Sequence, residues 1–129
     1  MKLKILSGVL IGMAISTFSF AADALTGEKI KELFSNKTAD IVKVDTNNEN
    51  KKYLSAYTAG DGSRAVYIPW KDKTSERTWW IEGNKYCGSH PRKGDYCRVI
   101  KDAGNGEYHA YNDEEHVRTF KNFRDGNQL

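Results

Sequence analysis

The sequence is poor in the residue types and spacings that mark many kinds of enzyme. Its 129 residues include only two cysteines, two prolines and three histidines. None of the histidines lies near a Gly-x-Ser-x-Gly turn, so no nucleophile site of the Ser/His/acid kind is recognisable. The spacings of thiol redox sites and covalent haem attachment, Cys-x-x-Cys and Cys-x-x-Cys-His, are also missing. These absences predict a protein that is not an enzyme and that needs no cofactor.

A strong excess of one charge is missing as well. The chain has 20 Lys and Arg against 17 Asp and Glu, a net charge of +3. A dedicated nucleic-acid binder carries a larger basic excess, so we expect no nucleic-acid partner. Apolar residues make up 39% of the chain, which is enough for one small core in one domain.

The only long apolar run lies at the start of the chain. Lys2 and Lys4 precede an apolar run over residues 6–20, and small residues follow at 21–24. This order is typical of a secretory signal, and the run is shorter than the roughly 20 residues of a membrane span. We therefore predict a signal peptide over 1–24, cleaved after Ala21 or Ala24, and a periplasmic or secreted protein without a transmembrane segment. A membrane anchor is the alternative.

Removal of the signal leaves a domain over residues 25–129 that is almost balanced in charge. Two lysines and one aspartate leave with the signal, so the net charge falls to about +2. Both Cys87 and Cys97 remain. In an exported protein such a pair favours a disulfide, here closing an eleven-residue ring. A metal set of these cysteines with His90 and His109 lacks the second ligand pair of a zinc site, so we predict no metal.

The mature chain opens with the pattern of one short helix. Thr26 is a suitable N-cap, and Ile30, Leu33 and Phe34 form an apolar stripe with helical spacing. The helix is expected to end near residues 35–36. Because two to three turns are not stable alone, we expect the stripe to lie against a sheet.

Short runs of β-branched and aromatic residues follow, with turn residues about every ten positions. They predict up to eight strands, at 39–45, 52–58, 63–70, 77–82, 85–88, 95–101, 107–112 and 116–123. The expected fold class is mainly β: a small antiparallel meander or barrel of six to eight strands with one short N-terminal helix. Alternation places Trp79 and Ile81 on one face and Trp80 on the other.

Several spaced positions resemble a known family. They are the start at 25–30, the Trp79-x-Ile81 strand, the Cys87 and Cys97 pair, and the Gly-Asn-x-Leu sequence at 126–129. Together they resemble a family of small exported proteobacterial proteins classed as a domain of unknown function. The resemblance spans most of the mature chain. It implies a fold and a compartment but no catalytic residue, because the family has no settled activity.

Exposed aromatic and basic side chains are the candidate binding residues. Aromatic rings stack on sugars or anchor protein partners, and a basic hairpin tip contacts anionic headgroups or acidic partners. Core packing of the rings and a solvated tip are the alternatives. The candidates are Trp70, Trp80, Tyr86, His90, Arg92 and Lys93.

Two functions fit these candidates. The favoured one is a non-enzymatic module that binds a small ligand, a glycan or an envelope protein, and it predicts a concave aromatic-lined pocket or an exposed aromatic cluster. The alternative is a periplasmic inhibitor of a hydrolase such as a lysozyme-like enzyme, which predicts a protruding loop at 90–95. Residues 62–73 resemble strands of small lysozyme-inhibitor barrels, although the near-neutral mature charge does not specially suit a cationic lysozyme.

Overall fold

A computed structural model describes residues 23–44, 47 and 52–129 as one closed antiparallel β-barrel with a short helix at its start. The predicted signal segment lies outside the described residues except for Asp23 and Ala24. The elements are α1 (Gly27–Phe34), β1 (Lys37–Lys43), β2 (Tyr53–Thr58), β3 (Ser63–Ile68), a 3-10 turn (Pro69–Lys71), β4 (Lys73–Glu82), β5 (Lys85–His90), β6 (Gly94–Gly104), β7 (Glu107–Asn112) and β8 (Glu115–Asp125).

The strands follow one another around the barrel in chain order. Each pairs antiparallel with the next, and β8 pairs with β1, so the sheet has no free edge. The predicted fold class, a mainly β meander closed into a barrel, is therefore confirmed. The main difference is length: β4 begins at Lys73 rather than at 77, β5 continues to His90, and β6 runs from Gly94 to Gly104.

The helix α1 lies over one end of the barrel. The Oγ1 atom of Thr26 accepts a hydrogen bond from the amide of Lys29 at 3.2 Å, as expected of an N-cap. Ile30 and Phe34 are buried, and the ring of Phe34 packs 4.8 Å from that of Tyr86 and 5.0 Å from that of Phe120. These contacts close this end. The helix has eight residues, and no helix in the described ranges is long and apolar enough to cross a bilayer.

The apolar core lies inside the barrel and continues onto the buried face of α1. It is built from side chains that alternate along the strands, so every second residue faces inward. Trp79 is buried inside, where it stacks on Tyr86 at 5.7 Å, and Trp80 is half-buried on the outer face. The predicted separation of the two tryptophans is thus confirmed.

The predicted disulfide is also confirmed. Cys87 on β5 and Cys97 on β6 are register partners, and their sulfurs are bonded at 2.04 Å. Cys87 alternates with the inward-facing Tyr86, so the bond lies on the outer face, next to Trp80 on the neighbouring strand β4. It therefore links two strands without entering the barrel interior.

Candidate functional site

The end of the barrel opposite α1 contains two adjoining cavities. Their volumes are about 330 Å³ and 480 Å³. They share five lining residues, Leu54, Arg77, His90, Lys93 and Arg118, so they form a deep chamber and its mouth. The barrel is therefore a cup that is closed by the helix at one end and hollow at the other.

Four arginines line the deep chamber, one from each of four strands. They are Arg64 on β3, Arg77 on β4, Arg98 on β6 and Arg118 on β8. Each lies two residues from an inward-facing core residue, and the period of two in a strand turns its side chain to the same inner face. The fold thus forces four guanidinium groups into the barrel.

Two of these arginines lie directly beside each other. Arg64 and Arg77 are register partners on β3 and β4. Like charges at opposed positions of a sheet repel each other and destabilise it. Arg64 has 5% of its surface exposed, so solvent screens the repulsion between the two guanidinium groups weakly on the Arg64 side. The pair is therefore unfavourable to the fold of the ligand-free protein.

The arginines make hydrogen bonds only to neutral groups among the described residues. Arg64 Nη1 donates to the Tyr96 hydroxyl at 3.1 Å, and the Arg98 guanidinium lies 4.1 Å from the centre of the same ring. Arg118 Nη1 donates to the carbonyl of Val117 at 2.8 Å. Arg77 Nε donates to a serine hydroxyl at 3.2 Å. These contacts orient the side chains, and none of them is made to a carboxylate.

Some buried polar atoms at this site have no partner at all. Within the described part of the chain, Arg64 Nε and Arg98 Nε are buried without a hydrogen bond. A buried unpaired polar group costs about 1–3 kcal/mol, and more when it is charged. Native proteins seldom leave such groups unpaired without a functional reason. These two Nε–H groups are therefore donors that face the barrel interior without a partner among the described residues.

Electrostatics within the chamber are dominated by positive charge. No aspartate or glutamate is among the described residues that line either cavity. Burial, followed by repulsion from Arg98, Arg64 and Arg77, lowers the pKa of Arg118 to about 10. Burial raises the pKa of Tyr86 to about 12, so this phenol is neutral at pH 7 and cannot balance a guanidinium.

The mouth of the cup carries further cations. Lys43, Lys71, Lys73, Arg92 and Lys93 line the outer cavity together with Trp70. The ammonium group of Lys43 lies 5.7 Å from the centre of the Trp70 ring. This outer ring continues the positive field of the chamber towards solvent.

His90 lies between the chamber and the mouth. Its Nδ1 atom accepts hydrogen bonds from the backbone amides of Arg92 and Lys93, each at 3.1 Å, and so holds the short connection from β5 to β6. Because Nδ1 is the acceptor, the proton of the neutral ring is on Nε2. Burial and then the charge of Arg77, followed by those of Lys93, Arg92 and Lys43, lower the pKa of His90.

Four of the six candidate binding residues come together at the mouth. Trp70, His90, Arg92 and Lys93 all line the outer cavity. Tyr86 instead packs in the core at 1% exposure. Trp80 lies on the outer face, and its Nε1 atom donates to Glu82 at 3.4 Å. The pocket is thus lined by cations and a few aromatic rings rather than mainly by aromatic rings.

The loop expected at 90–95 is shorter than its predicted range. Because β5 reaches His90 and β6 starts at Gly94, only residues 91–93 connect them, and these residues line the cavity mouth. The basic tip is therefore part of the cup's rim.

The four arginines are not among the candidate binding residues predicted from the sequence. The signal was nevertheless present, because Arg64 alternates with Val66 and Ile68, and Arg98 alternates with Ile100. In each strand the arginine continues the inward-facing apolar series. Because arginine is usually exposed, the alternation alone did not lead to the prediction that these side chains face inward.

One further cluster has the spacing of a metal site. Among the described residues it consists of Glu82, Cys87 and Cys97. The two sulfurs are bonded to each other, so neither offers a thiolate to a metal.

Comparison of the chain with models of protein families, with curated proteins and with solved structures finds no match.

Proposed function

We propose that this chain is an exported, non-enzymatic binding protein whose barrel takes up a small ligand through an anionic group of that ligand. The observation that carries the proposal is the set of inward-facing arginines, whose charges have no carboxylate partner among the described residues. Export rests on the sequence of residues 1–24 and on the resemblance to small exported proteins.

The inward-facing guanidinium groups are suited to an anion for energetic reasons. Removing a charge from water is costly, and only an opposite charge with good hydrogen bonds offsets that cost. Charge-assisted hydrogen bonds are about twice as strong as neutral ones, and the guanidinium fork matches the geometry of oxyanions. An anion in the chamber would pair Arg64 Nε and Arg98 Nε and reduce the repulsion between Arg64 and Arg77.

The size of the site favours a small ligand over a protein partner. The chamber of about 330 Å³ lies at the lower end of the usual range for small-molecule sites, roughly 300–1,000 Å³. Arg64 has 5% exposure, which is too little for the surface of a large partner to contact it. The hydrolase inhibitor stays an alternative prediction, and the short connection at 91–93 gives it no added support.

Isothermal titration with sulfate tests the proposal. We expect saturable binding by the mature protein and a loss of at least about tenfold in affinity for Arg64→Gln, because the removed group makes charge-assisted bonds. Lys29→Gln is the matched control, since Lys29 is an exposed cation on α1 at the closed end. Far-ultraviolet circular dichroism checks that each variant folds.

Two results would contradict the proposal. One is that neither sulfate nor phosphate binds the folded protein. The other is that Arg64→Gln and Lys29→Gln weaken binding equally, which would indicate a general effect of net charge. If Arg64→Gln fails to fold, Arg118→Gln is the substitute, because Arg118 lines the same chamber and is less buried than Arg64.

A further inference from the structure

The two cavities differ in the kind of cation that lines them. The inner chamber presents guanidinium groups of arginines that are buried at Arg64 and half-buried at Arg77, Arg98 and Arg118. The outer cavity adds ammonium groups from Lys71 and Lys73, which are exposed and lie on the rim. Arg77 and Arg118 line both cavities and so connect the two groups of charge.

We infer that the ligand carries at least two tetrahedral oxyanion groups, phosphoryl or sulfo, one held by the inner arginines and the other by the lysines of the rim. This inference rests on the proposed function and specifies its ligand class. The observation behind it is that the inner chamber, which is lined by arginines, opens into an outer cavity whose rim carries the exposed Lys71 and Lys73.

The number of cationic side chains that line the two cavities favours a ligand with more than one anionic group. Leaving Lys43 aside, the two cavities together have eight lysines and arginines among their described lining residues and no aspartate or glutamate. A single monoanion would leave most of this positive charge uncompensated. A ligand with two or more anionic groups matches it far better.

The inner group is better matched by a tetrahedral oxyanion than by a carboxylate. A carboxylate has two oxygens, which two guanidinium forks already saturate. Four arginines line the inner chamber. A phosphoryl or sulfo group offers three oxygens besides the one that links it to the rest of the ligand, so it accepts bonds from more guanidinium groups at once.

The lining between the two charged regions is not purely polar. Leu54 borders both cavities, and Ile68 and Trp70 border the outer one. A short linker or sugar ring between two oxyanion groups would contact these side chains. We therefore expect a compact soluble molecule. An oxyanion on a membrane surface would not reach Arg64, which is 5% exposed.

Titration calorimetry with orthophosphate, tripolyphosphate and a polysulfated disaccharide tests the inference at constant pH and ionic strength. We expect tripolyphosphate or the disaccharide to bind at least about tenfold more tightly than orthophosphate, because additional ion pairs form at the rim. The comparison shows whether the site prefers linked phosphoryl groups or sulfo groups on a sugar. A double variant, Lys71→Gln with Lys73→Gln, should weaken the multivalent ligand much more than orthophosphate.

The outcomes separate the inference from the proposed function. If orthophosphate binds and depends on Arg64, but the multivalent ligands bind no more tightly, the inference is wrong and the proposed function stands. If the lysine double variant weakens all ligands by the same factor, the inference is also wrong. If no oxyanion binds the folded protein, the proposed function and the inference both fail.

Discussion

Arg64 and Arg77 are register partners on adjacent strands, and both face the interior of the barrel. A position of this kind is normally filled by residues of opposite charge or by an apolar pair. Its occupation by two arginines costs stability in the ligand-free protein. Such a cost is typical of binding sites, where local strain is retained for function.

Replacing one member of this pair should therefore separate stability from binding. We expect Arg77→Glu to raise the free energy of unfolding by roughly 0.2–1 kcal/mol, because an attractive cross-strand pair replaces a repulsive one. The same variant should abolish sulfate binding. Urea denaturation and titration calorimetry measure the two effects. A variant that is less stable than the parent and binds sulfate equally well would contradict this account.

The charge state of His90 makes stability depend on pH. Burial, then repulsion from Arg77 and the nearby cations of the rim, lowers its pKa below the ordinary value of 6.5. The folded state therefore binds this proton less readily than the unfolded chain does. Stability should fall as the pH drops below about 6.5, because protonation then favours the unfolded chain.

Sulfate provides the test of this pH dependence, since it stays doubly charged across the range. Bound sulfate should raise the pKa of His90, so that melting temperatures fall less between pH 7 and pH 5 when sulfate is present. His90→Gln should reduce the fall in the ligand-free protein, whereas His109→Gln, on the outer face, should leave the sulfate effect intact. A sulfate effect that is identical in the parent and in His90→Gln would rule out this role of His90.

The disulfide stabilises the barrel without forming part of the cavity. Cys87 and Cys97 close an eleven-residue ring on the outer face of β5 and β6. The double variant Cys87→Ser with Cys97→Ser should lose about 3 kcal/mol of stability, from the entropy of the opened ring. Its affinity for sulfate should match that of the parent wherever it is folded. Chemical denaturation and calorimetry measure both, and an unchanged midpoint would contradict the structural role.

The helix closes the barrel through Phe34, whose ring packs on those of Tyr86, Phe120 and Phe123. Phe34→Ala should cost about 3–5 kcal/mol, because it removes a fully buried ring and leaves a cavity. Leu33→Ala is the matched control, since Leu33 is on the same helix and only half-buried. Equal losses for the two variants in urea denaturation would show that α1 does not close the barrel as described.

Much of the fold follows from the sequence. Turn residues about every ten positions and the alternation within each strand predict the meander, and the cap at Thr26 predicts the start of α1. The helix contributes its apolar stripe to the closed end as expected. Alternation within each strand does not determine the register between neighbouring strands. The direct pairing of Arg64 with Arg77 depends on that register, and so does the bulge between Thr38 and Asp40.

The candidate site was less predictable. The residues of the rim, Trp70, His90, Arg92 and Lys93, are recognisable as aromatic and basic side chains near turns. The chamber is not, because a charged residue within a strand is ordinarily exposed. Closure of the sheet into a barrel turns one face of every strand inward, and only this closure buries Arg64 and brings the guanidinium groups from four strands into one cavity.

The central claim is that an oxyanion binds inside the barrel at the inward-facing guanidinium groups. Nuclear magnetic resonance of the arginine Nε–H groups, recorded while sulfate is added, tests it most directly. The Nε–H signals of Arg64 and Arg98, which have no hydrogen-bond partner among the described residues, should shift and become protected from exchange with water. Arg124 is the internal control, because it pairs with Asp40 on the outer face at 3.0 Å. The account predicts that the signals of Arg64 and Arg98 move with one saturating affinity while that of Arg124 stays in place. Unchanged signals from Arg64 and Arg98, or an equal shift of all the arginines, would contradict it.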